Sequence, residues 1–219
     1  MKTTAGRLSR FATLALPNPR TLAGVRVDTA LSRADCEQAL ALRGEVYQRK
    51  GLLSGDLRTC ILPPAANTPG SAIFVARDGE SVVGTIAFYM DSPAGLPIDE
   101  VHPEEVARIR AKYPRTAEVG GLAVTEAHRC VGITMMLYRA VFHWAIARKT
   151  DCMVACINPL SRRVYSRLLS FQILGECKAH PRYEGAPSIP IGLDLSIHRS
   201  LCQADAGELP LLQRFFRGM

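Results

Sequence analysis

Apolar spacing along this chain switches repeatedly between the period of a strand and that of a helix. The order of the switches (β, α, β hairpin, β, α, β, α, β, β) is the strongest constraint on its fold. It specifies an α/β (α+β) chain built on one mixed sheet. Val25, Val27 and Leu31 alternate as a first strand, and Ser32 or Asp35 caps a helix through Ala39, Leu42 and Val46. Ser71 to Ala76 and Ser81 to Met90 are β-rich runs around Asp78-Gly79, a hairpin signal. Glu104 to Lys112 reads as a short polar helix. Ala117 to Thr125 reads as a strand interrupted at its centre by Gly120-Gly121, and paired glycines within a strand mark a bulge or a close backbone approach. A helical stripe follows through Ile133, Met136, Leu137, Ala140, Val141 and Trp144. Cys152 to Ile157 is an uninterrupted apolar strand, after which Asn158-Pro159 turns the chain into a helix carrying Val164, Tyr165 and Leu168. Ile173 to Cys177 and Ile189 to Ile197 close the sheet across the polar segment HPRYEGAPS.

The 219 residues suit one domain: a basic leader at 1–24, a folded unit at 25–197 and a helical tail at 198–219. Two irregular stretches, Gly51 to Thr68 and Asp91 to Pro103, are long enough to carry function. With 27 Lys and Arg against 20 Asp and Glu, the formal charge of +7 favours an acidic partner or ligand. Nucleic acid is disfavoured, because the basic residues form no patterned helix interleaved with aromatics, which make up only 6% of the chain. Seven cysteines without a disulfide framework and a leader without a compact apolar stretch fit a reducing cytoplasm. No window has the apolar length of a membrane span, which leaves peripheral membrane contact open.

The sharpest local signal is Arg129-Cys130-Val131-Gly132-Ile133-Thr134, placed between a strand and a helix. Backbone N–H groups at such a start, with Gly132 allowing close approach and Arg129 nearby, suit a phosphate or pyrophosphate; Gly132 as a simple turn is the competing reading. Neither a G-x-G-x-x-G nor a G-x-x-x-x-G-K pattern occurs, which disfavours dinucleotides and nucleoside triphosphates. No metal is expected. Cys152 and Cys156 fall on one face of a strand about 13 Å apart, beyond joint coordination of one ion. The histidines lack ligand spacing.

The motif built on Arg129, Gly132 and Thr134 resembles the phosphopantetheine-binding turn of the GNAT acyltransferases, Q/R-x-x-G-x-G/A, with Thr134 at the small-residue position. Asn158 after the next strand, Tyr165 on the following helix and Ser170-Phe171 at the Gly-Phe signature extend the resemblance. Within that superfamily the chain is most similar to the long-chain N-acyl amino acid synthases, relatives of the acyl-homoserine-lactone synthases. Their R-x-x-V-Y signature matches Arg43, Val46 and Tyr47, with Asp56 as the following acidic loop residue. Their L-P-x-D element matches Leu96, Pro97 and Asp99. Their E-V-x-R-L-A-V strand matches Glu118, Val119, Leu122, Ala123 and Val124, with Gly121 where the family carries arginine.

The resemblance implies a GNAT-like fold, with a sheet splayed at the acyl-donor site. It also implies transfer of a long acyl group from an acyl carrier protein thioester to the α-amine of an amino acid, with no tightly bound cofactor. An acceptor amine is protonated near neutral pH, so a base is needed, and Glu118 is the candidate. Backbone N–H groups near Leu122 and Val124 are candidates for the oxyanion, and Tyr165 for protonating the departing thiolate. Arg129, Val131, Gly132, Ile133, Thr134 and Asn158 are the expected contacts to the pantetheine arm. Arg43, Tyr47, Asp56, Gly121 and Phe88 are the expected contacts to the substrates, Phe88 sharing an acyl tunnel with Ile86, Met135, Met136 and Phe142. The charge imbalance fits docking of an acidic carrier protein through Arg108 to Arg115 or through Arg162, Arg163 and Arg167. Three alternatives share these motifs: an acyl-CoA-dependent N-acetyl- or N-acyltransferase, an acyl-homoserine-lactone-like synthase, and a non-catalytic acyl-binding domain.

Overall fold

The computed structural model describes residues 24–54, 62–129 and 131–196. The leader to residue 23, Asp56, Cys60, Cys130 and the tail from Ile197 lie outside the described residues. The expected alternation is present. Strand β1 (Val25–Thr29) leads to α1 (Arg33–Arg49), then to the hairpin β2 (Ala72–Asp78) and β3 (Ser81–Met90). Helix α2 (Pro103–Lys112), β4 (Thr116–Val124), α3 (Val131–Ala147), β5 (Cys152–Ile157) and α4 (Arg162–Leu168) follow. The chain closes with β6 (Gln172–Ile173), β7 (Lys178–His180) and β8 (Ala186–Asp194).

The strands form one sheet in the order β1-β2-β3-β4-β5-β8-β6, with β7 paired to β8. Every pairing is antiparallel except β4 with β5, which are joined by the α3 crossover. Burial explains which helix lies on which face. Ile133, Leu137, Val141 and Ala145 of α3 pack with Phe74, Ile86 and Phe88 on one face, while Ala39 of α1 and Val106 of α2 pack with Val75, Ala87 and Val154 on the other. Removing a fully buried Leu or Ile from such a core costs roughly 2–5 kcal/mol.

Local chemistry sets the ends of these elements. Ser32 and Asp35 share the α1 start: the Ser32 hydroxyl accepts from the Asp35 N–H at 3.0 Å and the Asp35 carboxylate accepts from the Ser32 N–H at 3.2 Å. The expected strand Ile173 to Cys177 is instead two short strands, β6 and β7. A Cβ on Gly175 would sit 2.6 Å from Glu105 Oε1, so the chain leaves the sheet where it passes the α2 carboxylate. The last strand starts earlier and ends earlier than its apolar run, at Asp194, whose Oδ1 accepts from the Ser196 N–H and hydroxyl. Among the described residues no helix is long and apolar enough to cross a membrane.

Candidate active site

Two irregularities in β4 open the sheet at its centre. On the β3 side the register shifts: Thr85 faces Ala123 and Ala87 faces Gly120, so Gly121 and Leu122 together oppose Ile86. Gly121 carries this bulge at φ +65°, and a Cβ there would lie 2.9 Å from Arg43 Nη1. The family arginine therefore has no room at position 121: the left-handed backbone disfavours it and the Arg43 guanidinium already lies over the site. On the β5 side, parallel pairing ends at Glu118 with Val154, and the two strands then diverge. Backbone groups of β4 beyond Glu118 that would continue the β5 ladder face an open cleft instead.

Two cavities meet at this break. A chamber of about 360 Å³ is lined by Arg43, Tyr89, Glu118, Arg182, Tyr183 and the apolar Leu53, Leu62, Pro63, Pro64 and Pro97. A cleft of about 490 Å³ runs along the diverging edges past Val119, Leu122, Ala155, Ile157, Asn158 and Tyr165. Gly120 and Gly121 border both.

Glu118 is 5% exposed and makes no ion pair among the described residues. Its Oε2 accepts the Ile98 N–H at 2.8 Å, but loss of hydration outweighs that bond, and burial pushes the carboxyl up to about 8. The L-P-x-D element supports this arrangement. Asp99 accepts the Leu96 N–H at 2.7 Å, and Arg110 grips both Asp91 and Asp99 through paired bonds of 2.6–2.8 Å. These bonds hold the 3₁₀ turn Pro97–Glu100 so that Ile98 meets Glu118. Arg110 is thereby committed inside the fold.

Positive charge in the chamber comes from Arg43 and Arg182. Arg43 Nη1 donates to the Tyr89 hydroxyl at 3.4 Å, and Arg182 Nε donates to Glu100 at 3.1 Å. In the cleft the Tyr165 and Tyr138 hydroxyls bond each other at 2.6 Å, and burial pushes both phenols up. Asn158 Oδ1 accepts the Leu160 N–H at 2.9 Å, capping the turn into α4 while lining the cleft. Lys50 lies at the cleft too; burial first, and nearby Arg129 second, lower its pKa.

The structure thus brings together Glu118, Gly121 and Arg43 at the chamber, and Tyr47, Leu122, Asn158 and Tyr165 at the cleft. Other expected contacts fall elsewhere. Phe88 and Ile86 are fully buried between β-sheet and α3, Met135 and Phe142 are core as well, and none of them lines either cavity. Val124 pairs with Gly84 in the core, Gly132 and Ile133 are buried, Thr134 is half-buried and Arg129 is exposed. These five also line neither cavity. Val131 opens α3, and Asp56 is outside the described residues. Burial pushes the Cys152 and Cys156 thiols up to about 12, so neither supplies a thiolate at neutral pH. Ser170, at the position of the signature glycine, closes α4 at φ +60°.

The model of the FeeM N-acyl amino acid synthase family matches residues 38–194, which contain β4, its bulge and both cavities. The chain belongs to that family. It is an acyltransferase with a GNAT-like fold. The FeeM N-acyl amino acid synthase from uncultured soil microbes superposes with a TM-score of 0.71 at 24% identity, covering 80% of this chain and 93% of that one. A putative acetyltransferase, yncA, from Salmonella typhimurium, solved with acetyl-CoA, superposes at 0.56 and 15% identity, covering 78% and 94%. A putative N-acetyltransferase from Lactobacillus plantarum gives 0.55 and 17%, covering 78% and 99%. At these identities the likeness is one of fold. Comparison with curated protein sequences returns no match.

Within the FeeM family frame, Arg182, Tyr183, Tyr89, Lys50 and His180 are site-lining residues that sequence reasoning missed. Three of them sit in HPRYEGAPS, the polar segment between the closing strands. A His, an Arg and a Tyr gathered between two closing strands were the available signal.

Proposed function

We propose that this protein transfers a long-chain acyl group from an acyl carrier protein thioester to the α-amine of an amino acid. The observation that carries this reading is the meeting of two unlike cavities at Gly120-Gly121: one holds a buried carboxyl beside two arginines, the other follows an unpaired strand edge.

In this mechanism the acceptor occupies the smaller chamber, its carboxylate toward Arg43 and Arg182 and its side chain against Leu62, Pro63 and Pro64. Glu118, directly or through one water, takes the proton that the amine must lose to attack. A carboxyl poised near 8 is matched to that task, because it is partly ionised at working pH yet basic enough to hold the proton. The amine adds to the thioester carbonyl at the glycine pair, where open β4 backbone N–H groups can hydrogen-bond the oxyanion. Collapse breaks the C–S bond and the thiol departs along the cleft. The apolar walls Val119, Leu122, Ala155 and Ile157 suit a hydrocarbon chain, each buried CH₂ contributing about 0.8 kcal/mol.

The donor side favours a carrier protein. Arg162, Arg163 and Arg167 are exposed on α4 at the cleft mouth, with no ion pair among the described residues, and they flank the exposed Leu160 and Val164. Arg163, Val164 and Arg167 share one face of α4, and Leu160 lies on the 3₁₀ turn Pro159–Ser161 that leads into it. The alternative patch around Arg110 is occupied by Asp91 and Asp99. Thiol release should be followed with hexadecanoyl carrier protein and with hexadecanoyl-CoA, each with and without amino acids. The reading requires release that depends on an amino acid and is faster with the carrier protein. Release with the CoA thioester alone would refute the donor assignment.

A further inference from the structure

The chamber and the cleft share one side chain among the described residues, Tyr183, besides the glycine pair. If amine and thioester approach from opposite cavities, a group that borders both stands beside the reacting carbon. Tyr183 sits on the turn between β7 and β8, which the sheet pairing brings back beside β5. Its ring is held on two sides: Tyr47 meets it edge-on at 5.5 Å and 83°, and His180 lies against it at 4.3 Å. Its hydroxyl makes no hydrogen bond to a described residue. Tyr165 differs, because its hydroxyl is already engaged by Tyr138 at 2.6 Å. Beneath Tyr183, His180 is 6% exposed, lines the cleft and has an unpartnered Nδ1.

We propose that Tyr183 is a catalytic residue of this acyl transfer, its hydroxyl donating a hydrogen bond to the departing thioester sulfur. The inference rests on the reaction proposed above. The amine nitrogen forms the new C–N bond as the carbonyl π pair moves to oxygen. On collapse that pair returns and the C–S pair moves to sulfur; of the two protons the ammonium nitrogen sheds, the first resides on Glu118 and the second passes through water to the released thiolate, which departs as the thiol. Tyr183 keeps its own proton throughout. Burial pushes its phenol up to about 12, so the hydroxyl stays a donor across the working range, while a free thiol near 8.5 leaves readily as its anion. A hydrogen bond to an ionised acceptor is roughly twice as strong as a neutral one.

The test compares Tyr183→Phe and Tyr165→Phe in amide formation, with an alkyl thioester donor and with an aryl thioester whose thiol is far more acidic. The expected result is a kcat lower by roughly 10- to 100-fold for Y183F on the alkyl donor, with KM for both substrates unchanged within about threefold. On the aryl donor, which needs no help in leaving, Y183F should return to within about threefold of the wild type, whereas a merely structural defect would persist on both donors. Y165F, which loses a hydroxyl engaged by Tyr138 and not one aimed at sulfur, should show any loss equally on both donors. A wild-type kcat for Y183F, or equal impairment on both donors, would overturn the assignment. Failure of the wild type to form amide with either donor would instead overturn the reaction on which it rests.

Discussion

Glu118→Gln replaces the one carboxyl among the described residues lining the acceptor chamber with a side chain that still accepts the Ile98 N–H but cannot ionise. Glutamic acid ordinarily ionises near 4.5 and this one near 8, because burial strips its hydration. At about 1.36 kcal/mol per pH unit, the difference makes ionisation cost roughly 5 kcal/mol more in the folded state than in the unfolded one. The direction follows from the raised folded value: the stability that Glu118 contributes is fully present below about 4.5 and is lost as pH rises through about 8. Urea unfolding at pH 5 and pH 9 should show the wild type losing several kcal/mol relative to E118Q over that rise. Activity runs the opposite way, since the base works only when ionised. Wild-type kcat/KM should climb with pH and level off above about 8. E118Q should fall by roughly 10²- to 10⁴-fold, and any pH dependence it retains should belong to the acceptor amine. Wild-type turnover in E118Q, or a stability gap that is the same at both pH values, would refute the reasoning.

Three further substitutions probe how the site is held. Gly121→Ala should cost about 1–2 kcal/mol of stability for its left-handed backbone, and should raise KM for the amino acid by displacing Arg43, as thermal unfolding and steady-state kinetics would register. Asp99→Asn weakens the Arg110 clamp and the turn that presents Ile98 to Glu118; a loss of roughly 1–3 kcal/mol is expected, together with a shifted midpoint in the pH–rate profile. Ser170→Gly relieves the φ of +60° that closes α4, so it should stabilise by about 1 kcal/mol in denaturant unfolding and leave kcat unchanged.

The centre of the site was legible because its chemistry interrupts regular structure. A glutamate two residues before paired glycines, inside a strand, reads as functional when apolar alternation calls for a plain strand, and the structure turns that interruption into a bulge facing two cavities. Asn158 and Tyr165 enter through the resemblance to the GNAT acyltransferases; the Asn158-Pro159 turn, legible in the sequence, places them after β5 without giving them a role. For Arg182, Tyr183 and His180 the sequence offers only their clustering in one polar segment, since it is the pairing of β7 and β8 that carries them to the two cavities. Phe88 was assigned to an acyl tunnel because alternation establishes that a residue is buried without saying what covers its face, and here the cover is α3. The L-P-x-D element was recognised by resemblance alone. Its physical role, bracing the turn that bonds Glu118, depends on Arg110 from a helix whose polar face gives no hint of the pairing.

The central claim is that a thioester and an amino acid are joined across the glycine pair. The protein should be incubated with hexadecanoyl carrier protein and isotope-labelled amino acids, and the lipid extract read by mass spectrometry. The account predicts an amide that carries both the acyl chain and the labelled nitrogen, formed in step with thiol release. Thiol release accompanied only by free fatty acid, with no label in the lipid fraction, would contradict it.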